Sequence, residues 1–318
     1  MKDKPKERKG LIKEKHGRIV KGLGGLYEVR TDGGEVISCR AKGNLKRDEE
    51  KLFVGDRVTV LIDETTPDGK VISALEERKN SLIRPPIANL DLLFIVFAAA
   101  KPAPVLETVD KLVSIAVHNN ITPVIVVTKC DLANEYAAEL LEIYKGAGIS
   151  AFVTSSKTGE GKAELCEFVY RNVSCGRVAS FAGASGVGKS TLMNLLFPEL
   201  SLATSEISRK IERGKHTTRH VELFPISSSD GEGFLADTPG FSLVDFERFD
   251  FMKLEDLLPT YREFSEYIGK CRYADCAHVG EGEDECAIAR AVRDGKISKS
   301  RLDSYRSIYS VLKNKTTY

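Results

Sequence analysis

The nine residues Gly183-Ala184-Ser185-Gly186-Val187-Gly188-Lys189-Ser190-Thr191 constrain this chain more than any other stretch. They satisfy G-x-x-x-x-G-K-S/T between a short apolar run, Val178-Ala179-Ser180-Phe181, and a helical run carrying Leu192, Leu195 and Leu196. That strand-loop-helix context is the one a phosphate-binding loop requires. The glycines let backbone N–H groups wrap a phosphate at a helix N-terminus. Lys189 is placed to reach the β and γ oxygens of a nucleoside triphosphate, and the Ser190 hydroxyl suits Mg²⁺.

The segments around this loop come in an unusual order. Thr128-Lys129-Cys130-Asp131 lies before it, at the end of the apolar run Val124-Ile125-Val126-Val127. A carboxylate at the C-terminal end of a parallel strand sits where open α/β sheets bind nucleotides. Asp131 there can accept N1–H and the exocyclic amine of guanine, a donor pair adenine lacks, while the Lys129 stem packs over the base. Thr128 stands where N-K-x-D loops carry Asn, and its hydroxyl can still bond backbone. Thr154-Ser155-Ser156-Lys157, after another short strand, suits support of guanine O6 through a backbone N–H. Asp237-Thr238-Pro239-Gly240 lies after the phosphate loop, with Asp237 suited to Mg²⁺ and the Gly240 N–H to the γ-phosphate. An ordinary GTPase begins with the phosphate loop, so this order predicts a circularly permuted GTPase.

Between the phosphate loop and Asp237 runs a polar segment with Gly214-Lys215-His216-Thr217-Thr218, the place of a first switch. Thr217 or Thr218 would complete the Mg²⁺ shell when the γ-phosphate is present. His216 is a candidate for orienting water or for touching phosphate. Phe241 follows Gly240 where many GTPases carry a water-positioning glutamine, and a phenyl ring cannot do this. Intrinsic hydrolysis is therefore expected to be slow, with a partner or another residue such as His216 needed to organise the water.

At 318 residues the chain has room for two or three domains. From Gly17 to Leu75, short alternating runs broken by Asp32-Gly33-Gly34 and Pro67-Asp68-Gly69 read as a small β-barrel of the OB type, whose open face commonly receives oligonucleotides. After Pro85-Pro86 come the runs Leu92 to Phe97 and Val124 to Val127, too uniformly apolar for a one-sided sheet, with helical spacing at Leu106, Val109, Leu112, Val113 and Ala116 between them. The expected fold is thus α/β: an N-terminal arm and barrel over 1–78, a permuted P-loop GTPase domain over 79–245, and a mostly helical zinc-binding domain over 246–318.

The last of these rests on Cys271, Cys276, His278 and Cys286, which form C-x4-C-x-H-x7-C. Four soft ligands suit one closed, tetrahedral, structural Zn²⁺. The other cysteines of the seven are scattered, a reduced rather than disulfide pattern. Charge is balanced, 47 Lys+Arg against 46 Asp+Glu, so only the basic N-terminal arm points locally towards phosphate. No apolar run reaches the ~18 residues of a membrane span, and the start lacks the apolar middle of a secretory signal. A cytoplasmic monomer without membrane contact is expected.

With the permuted order, the barrel before it and the C-x4-C-x-H-x7-C segment after it, the chain resembles the bacterial ribosome small subunit-dependent GTPase A family over nearly its whole length. That resemblance implies an OB barrel, a permuted GTPase domain and a zinc domain, acting late in maturation of the small ribosomal subunit and binding its rRNA, with GTP turnover stimulated by the subunit. Phe241 is similar to the family's apolar replacement for glutamine. Three other readings make different predictions: a GTP-regulated RNA-binding scaffold without useful turnover, a permuted GTPase of the large subunit, and an ATP-dependent P-loop enzyme, against which Asp131 speaks.

Overall fold

The computed structural model describes residues 12–42, 51–66, 69–198, 221–228, 230–237 and 252–315. They fall into two compact units, one drawn from Met1–Leu90 with Arg219–Phe224, the other from Asp91–Thr218 with Pro225–Tyr318.

In the first unit, five strands follow the order β1-β2-β3-β5-β4, and β1 also pairs with β4, which closes the barrel. They are β1 (Ile12–Leu23), β2 (Leu26–Thr31), β3 (Val36–Ala41), β4 (Arg57–Asp63) and β5 (Lys70–Leu75). All pairs are antiparallel except β3–β5. Period-two patterning marks the barrel interior: Ile19, Val29, Ile37, Val58, Val60 and Ile72 are fully buried, while Glu28, Arg30 and Arg57, next to Val29 and Val58, are half-buried. β1 reaches both partners because its register against β2 shifts between Ile19 and Lys21, which bends the strand. A small hairpin, β6 (Ser81–Leu82) and β7 (Ile87–Ala88), follows. The polar stretch before it is tied down: Arg78 donates to both oxygens of the buried Asp56 at 2.7 and 2.8 Å.

The second unit is built on parallel strands in the order β10-β9-β8-β11-β13. These are β8 (Leu92–Ala98), β9 (Thr122–Thr128), β10 (Ser150–Val153), β11 (Val178–Ala182) and β13 (Gly231–Asp237). Every residue of β8 is buried, as its unbroken apolar run predicts for a strand covered on both faces. On one face Leu92, Phe94, Val96 and Ala98 join a core with Leu165 and Val169 of α3 (Lys162–Asn172) and Leu192 and Leu196 of α4 (Lys189–Leu196). Phe94 stacks on Phe181 there, with ring centroids 4.8 Å apart. The other face is covered by α1 (Leu106–His118) and α2 (Asn134–Gly146), and Phe97 meets Tyr144 of α2. Fully burying each such side chain contributes about 1.5–3 kcal/mol relative to leaving it exposed.

The chain runs β8, β9, β10 outward to one side and then returns to place β11 on the other side of β8. That reversal is a topological switch point, outside whose strand C-termini ligands bind in open α/β sheets. One strand escaped the reading of the polar segment before Asp237: β12 (Glu222–Ser228), whose Leu223 and Ile226 are buried. Pro225 inside it and only short alternation hid it.

Beyond residue 251 the chain is mostly helical, as expected. Short 3-10 turns at Leu254–Asp256, Leu258–Thr260 and Arg262–Tyr267 precede α5 (Ala287–Arg293) and α6 (Lys299–Lys313). Among the described residues no helix is long and apolar enough to cross a membrane.

Candidate functional site

The phosphate-loop segment leaves β11 at Ala182 and enters α4 at Lys189. Gly183 has φ +145, and a Cβ there would stand 2.0 Å from the Val96 carbonyl oxygen, so the loop can cross the end of β8 only with glycine. Gly188, at φ +99, turns the chain into the helix. Lys189 folds back over the loop and donates to the carbonyls of Gly183 at 2.6 Å and Ala184 at 2.7 Å. Burial lowers the pKa of its ammonium. Ser190 and Thr191 are exposed at the first turn of α4, whose unpaired amides make this edge attractive to an anion.

The segment Thr128 to Asp131 lies on the same edge, and side chains join it to the phosphate loop. Thr128, at the end of β9, is buried and donates its hydroxyl to the Val187 carbonyl at 2.5 Å, with the Phe97 carbonyl next at 3.3 Å. Lys129, in the left-handed region at φ 56, sends its ammonium to the carbonyls of Gly186 at 2.8 Å and Lys101 at 2.6 Å. The Cys130 thiol is buried, and burial, with Glu160 beside it, pushes its pKa up to about 11, so it remains a neutral plug beneath the loop. Asp131 is exposed and ready to accept hydrogen bonds from a ligand.

From the neighbouring loop after β10, fully buried Ser155 donates to Asp131 Oδ1 at 2.6 Å and accepts the amides of Lys157 and Thr158, each at 3.2 Å. Ser156 and Lys157 are exposed at its tip. Asp237 ends β13 directly after Ala236, the register partner of Ser180 in β11. The loops after β9, β10 and β11 and the end of β13 at Asp237 thus share one strand edge. Sequence reasoning named these residues and expected the Thr128 hydroxyl to bond backbone, but missed its partner, the Lys129 ammonium ties and the Ser155–Asp131 bond. His216, Thr217, Thr218, Gly240 and Phe241 lie outside the described residues.

A separate cluster gathers Cys271, Cys276, His278 and Cys286, whose ligand atoms all lie within 4.8 Å of one another. His278 Nδ1 is 3.6 Å from Cys271 Sγ and 3.4 Å from those of Cys276 and Cys286. A tetrahedron with Zn–S of about 2.3 Å and Zn–N of about 2.0–2.1 Å has N···S edges of roughly 3.5 Å, so the cluster fits zinc in size as well as in donor type. Burial pushes the Cys276 thiol up to about 12 and lowers the pKa of His278, and a cation would offset the cost of holding thiolates there. The surrounding chain fixes the ligands. Ala287 and Ala289 amides donate to the sulfurs of Cys271 and Cys286, Glu281 accepts from the amides of Ala277, Val279 and Gly280, and Tyr305 and Arg306 of α6 donate to the carbonyls of Ala277 and His278. A bound zinc would supply a closed structural cross-link here.

Comparison with known proteins agrees with this arrangement. The RsgA GTPase family model matches residues 75–247, and the RsgA N-terminal domain model matches residues 16–69. A protein of Agathobacter rectalis named small ribosomal subunit biogenesis GTPase RsgA is 40% identical over 314 residues, covering 95% of this chain and 99% of its own. A protein of the same name from Caldanaerobacter subterraneus subsp. tengcongensis is 40% identical over 301 residues, 94% of this chain and 96% of its own. Among solved structures, YjeQ from Thermotoga maritima superimposes with a TM-score of 0.76 at 29% identity, covering 96% of this chain and 100% of that one. YloQ, described as a circularly permuted GTPase, does so with a TM-score of 0.75 at 29% identity, covering 99% and 100%. Loop order, strand order and likeness agree: this chain belongs to the RsgA GTPase family and is a circularly permuted GTPase with an N-terminal β-barrel.

Proposed function

We propose that this GTPase acts in maturation of the small ribosomal subunit, binding the subunit and its rRNA and hydrolysing GTP with turnover stimulated by the subunit. The observation that carries the nucleotide half is the pair of ties from Thr128 to Val187 and from Lys129 to Gly186, which join the Asp131 loop to the Lys189 loop on one edge. The ribosomal half is supported by the names of the relatives, aligned over most of the chain. Asp131 accepts N1–H and the exocyclic amine of guanine, the Lys129 stem flanks the ring, and the Ser155-Ser156-Lys157 loop offers a backbone N–H to O6. Residues 183–188 wrap the phosphates with backbone amides, and Lys189 exchanges its carbonyl partners for β and γ oxygens.

Ser190 and Asp237 are hard oxygen donors on this edge, the donor type Mg²⁺ prefers, and would hold the cation with the nucleotide. Mg²⁺ supplies neutralisation of charge on the transferring phosphate. Thr217 or Thr218, with the Gly240 amide, would close over the γ-phosphate, and His216 is the candidate for placing water. We assign residues 1–78, 79–245 and 246–318 to barrel, GTPase and zinc-binding domains, the last holding one structural zinc.

Phosphate release measured with and without purified small subunits tests the role. Stimulation by small but not large subunits is expected, and equal rates in all three conditions refute it. Asp131→Asn should shift preference from guanine towards xanthine nucleotides, and an unchanged preference would remove Asp131 from the base site.

A further inference from the structure

The geometry points to a second binding site, a cleft that takes a lysine or arginine residue of a partner protein. α2 leaves the nucleotide edge just after Asp131 and ends just before β10 begins, so its last turns lie toward the opposite edge of the sheet. There a cavity of about 250 Å³ opens between those turns and the link from α5 to α6. A drug-sized ligand takes roughly 300–1,000 Å³, so this cleft suits one long side chain with its own peptide group.

Its walls carry Glu139, Glu142, Glu263, Lys296 and Arg301, three carboxylates against two cations. Asp110 also draws on Arg301 from within the fold, so the surplus is negative. Glu139 and Glu142 are exposed and have no ion-pair or hydrogen-bond partner among the described residues. They call for a cation.

Arg301 adds an independent demand. It is 1% exposed, and its Nε and Nη1 donate to Glu263 and Asp110, yet Nη2 is buried without a hydrogen-bond partner among the described residues. A buried donor is costly to leave unmade, so an occupant must bring an acceptor. Two carboxylates already share this guanidinium, and a third would be an uncompensated charge, so the acceptor is neutral. A peptide carbonyl meets that need. Ser298, which lines the cleft, begins α6 without a side-chain cap, and the leading amides of the helix favour the same kind of atom. Ile143 and Ile297 give the wall an apolar strip for a methylene stem. Cation, stem and neutral carbonyl together describe a basic residue inside a peptide chain. Ordered water alone would satisfy Nη2 and leave Glu139 and Glu142 unpaired.

The test is a methyl NMR titration of the full-length, zinc-loaded chain, following Ile143 and Ile297. The probes are acetyl-Gly-Arg-Gly-amide, its citrulline counterpart, which keeps the shape and loses the charge, and N-acetylarginine, which keeps the charge and adds a carboxylate. The arginine peptide should bind with Kd on the order of 1 mM. The other two should bind roughly fivefold more weakly, the size expected of exposed charge contacts. Glu139→Gln combined with Glu142→Gln should bring the arginine and citrulline peptides within about twofold of each other, and Lys296→Ala should tighten the arginine peptide about twofold. GTP affinity, read at the opposite edge, reports that each variant is folded.

Equal affinity for the arginine and citrulline peptides in the unaltered chain overturns the inference, as does the absence of methyl shifts at ~10 mM peptide. N-acetylarginine binding as tightly as the arginine peptide refutes the neutral carbonyl and with it the peptide partner. A double variant that keeps the full preference removes α2 from the site. If the double variant does not fold, the unaltered chain and Lys296→Ala decide.

Discussion

At the residue scale, the carboxylate proposed to read the base depends on a neighbour that carries no charge. Ser155 holds Asp131 Oδ1 from a fully buried position and is itself oriented by two backbone amides. A hydrogen bond to a charged group contributes about 1.5–3 kcal/mol, and losing it also lets the exposed carboxylate rotate. Ser155→Ala should therefore raise the KM for GTP roughly tenfold or more, with kcat at saturating GTP close to unchanged. Steady-state kinetics at varied GTP checks this, and a fall in kcat alone would show that the serine acts elsewhere. The sequence marked both residues because each follows a short apolar strand. It could not show their bond, since that depends on β9 and β10 being neighbours in the sheet. For the same reason Lys129 read as a stem beside the base, whereas its ammonium also ties two carbonyls from distant loops.

At the element scale, the helical C-terminal segment is anchored to the GTPase layers through a buried charge. Arg301 of α6 is 1% exposed and donates to Asp110 of α1 and, at 2.7 Å, to Glu263. Its guanidinium lies 4.4 Å from the Tyr261 ring centroid and 5.8 Å from that of Tyr144 in α2. Burial opposes the charge, and the two carboxylates outweigh it and raise Arg301 well above its ordinary pKa. Thr260 adds a hydroxyl bond to Ser114 of α1 at 3.0 Å. Removing one partner of such a pair leaves an uncompensated buried charge, so Arg301→Met should lower stability by about 3–5 kcal/mol. Urea unfolding checks the figure. A loss below about 1 kcal/mol would place the anchor among ordinary surface pairs. None of this was legible: Arg301 stands in a run of charged and polar residues that reads as a solvated helix face, and its acidic partner Asp110 is 191 positions away. What was legible was the helix itself and the apolar stripe of α1.

At the scale of the whole molecule, motif order carried most of the architecture. A phosphate-loop motif that follows the Thr128–Asp131 motif fits a sheet whose strands reverse about β8, and the strand order β10-β9-β8-β11-β13 is that reversal. Uniformly apolar runs located the central strands, and alternation located the barrel. The metal cluster was legible as four ligands, but not its bracing by α6, which links it through the same helix to Arg301. The Cys/His cluster and the buried ion pair are therefore both tied to one helix. Removing the zinc should free residues 271–286 and loosen α6 without unfolding the strand edge that holds Asp131 and Lys189. Elemental analysis should find one zinc per chain. After stripping with a strong chelator, limited proteolysis should cut first within 271–286, while guanine nucleotide affinity changes by less than about threefold, a difference under ~1 kcal/mol. If chelation abolished nucleotide binding while residues 271–286 stayed protected, the metal would have to lie at the nucleotide edge. Cys276→Ser separates the cases, because it removes one ligand from the cluster and touches nothing at that edge.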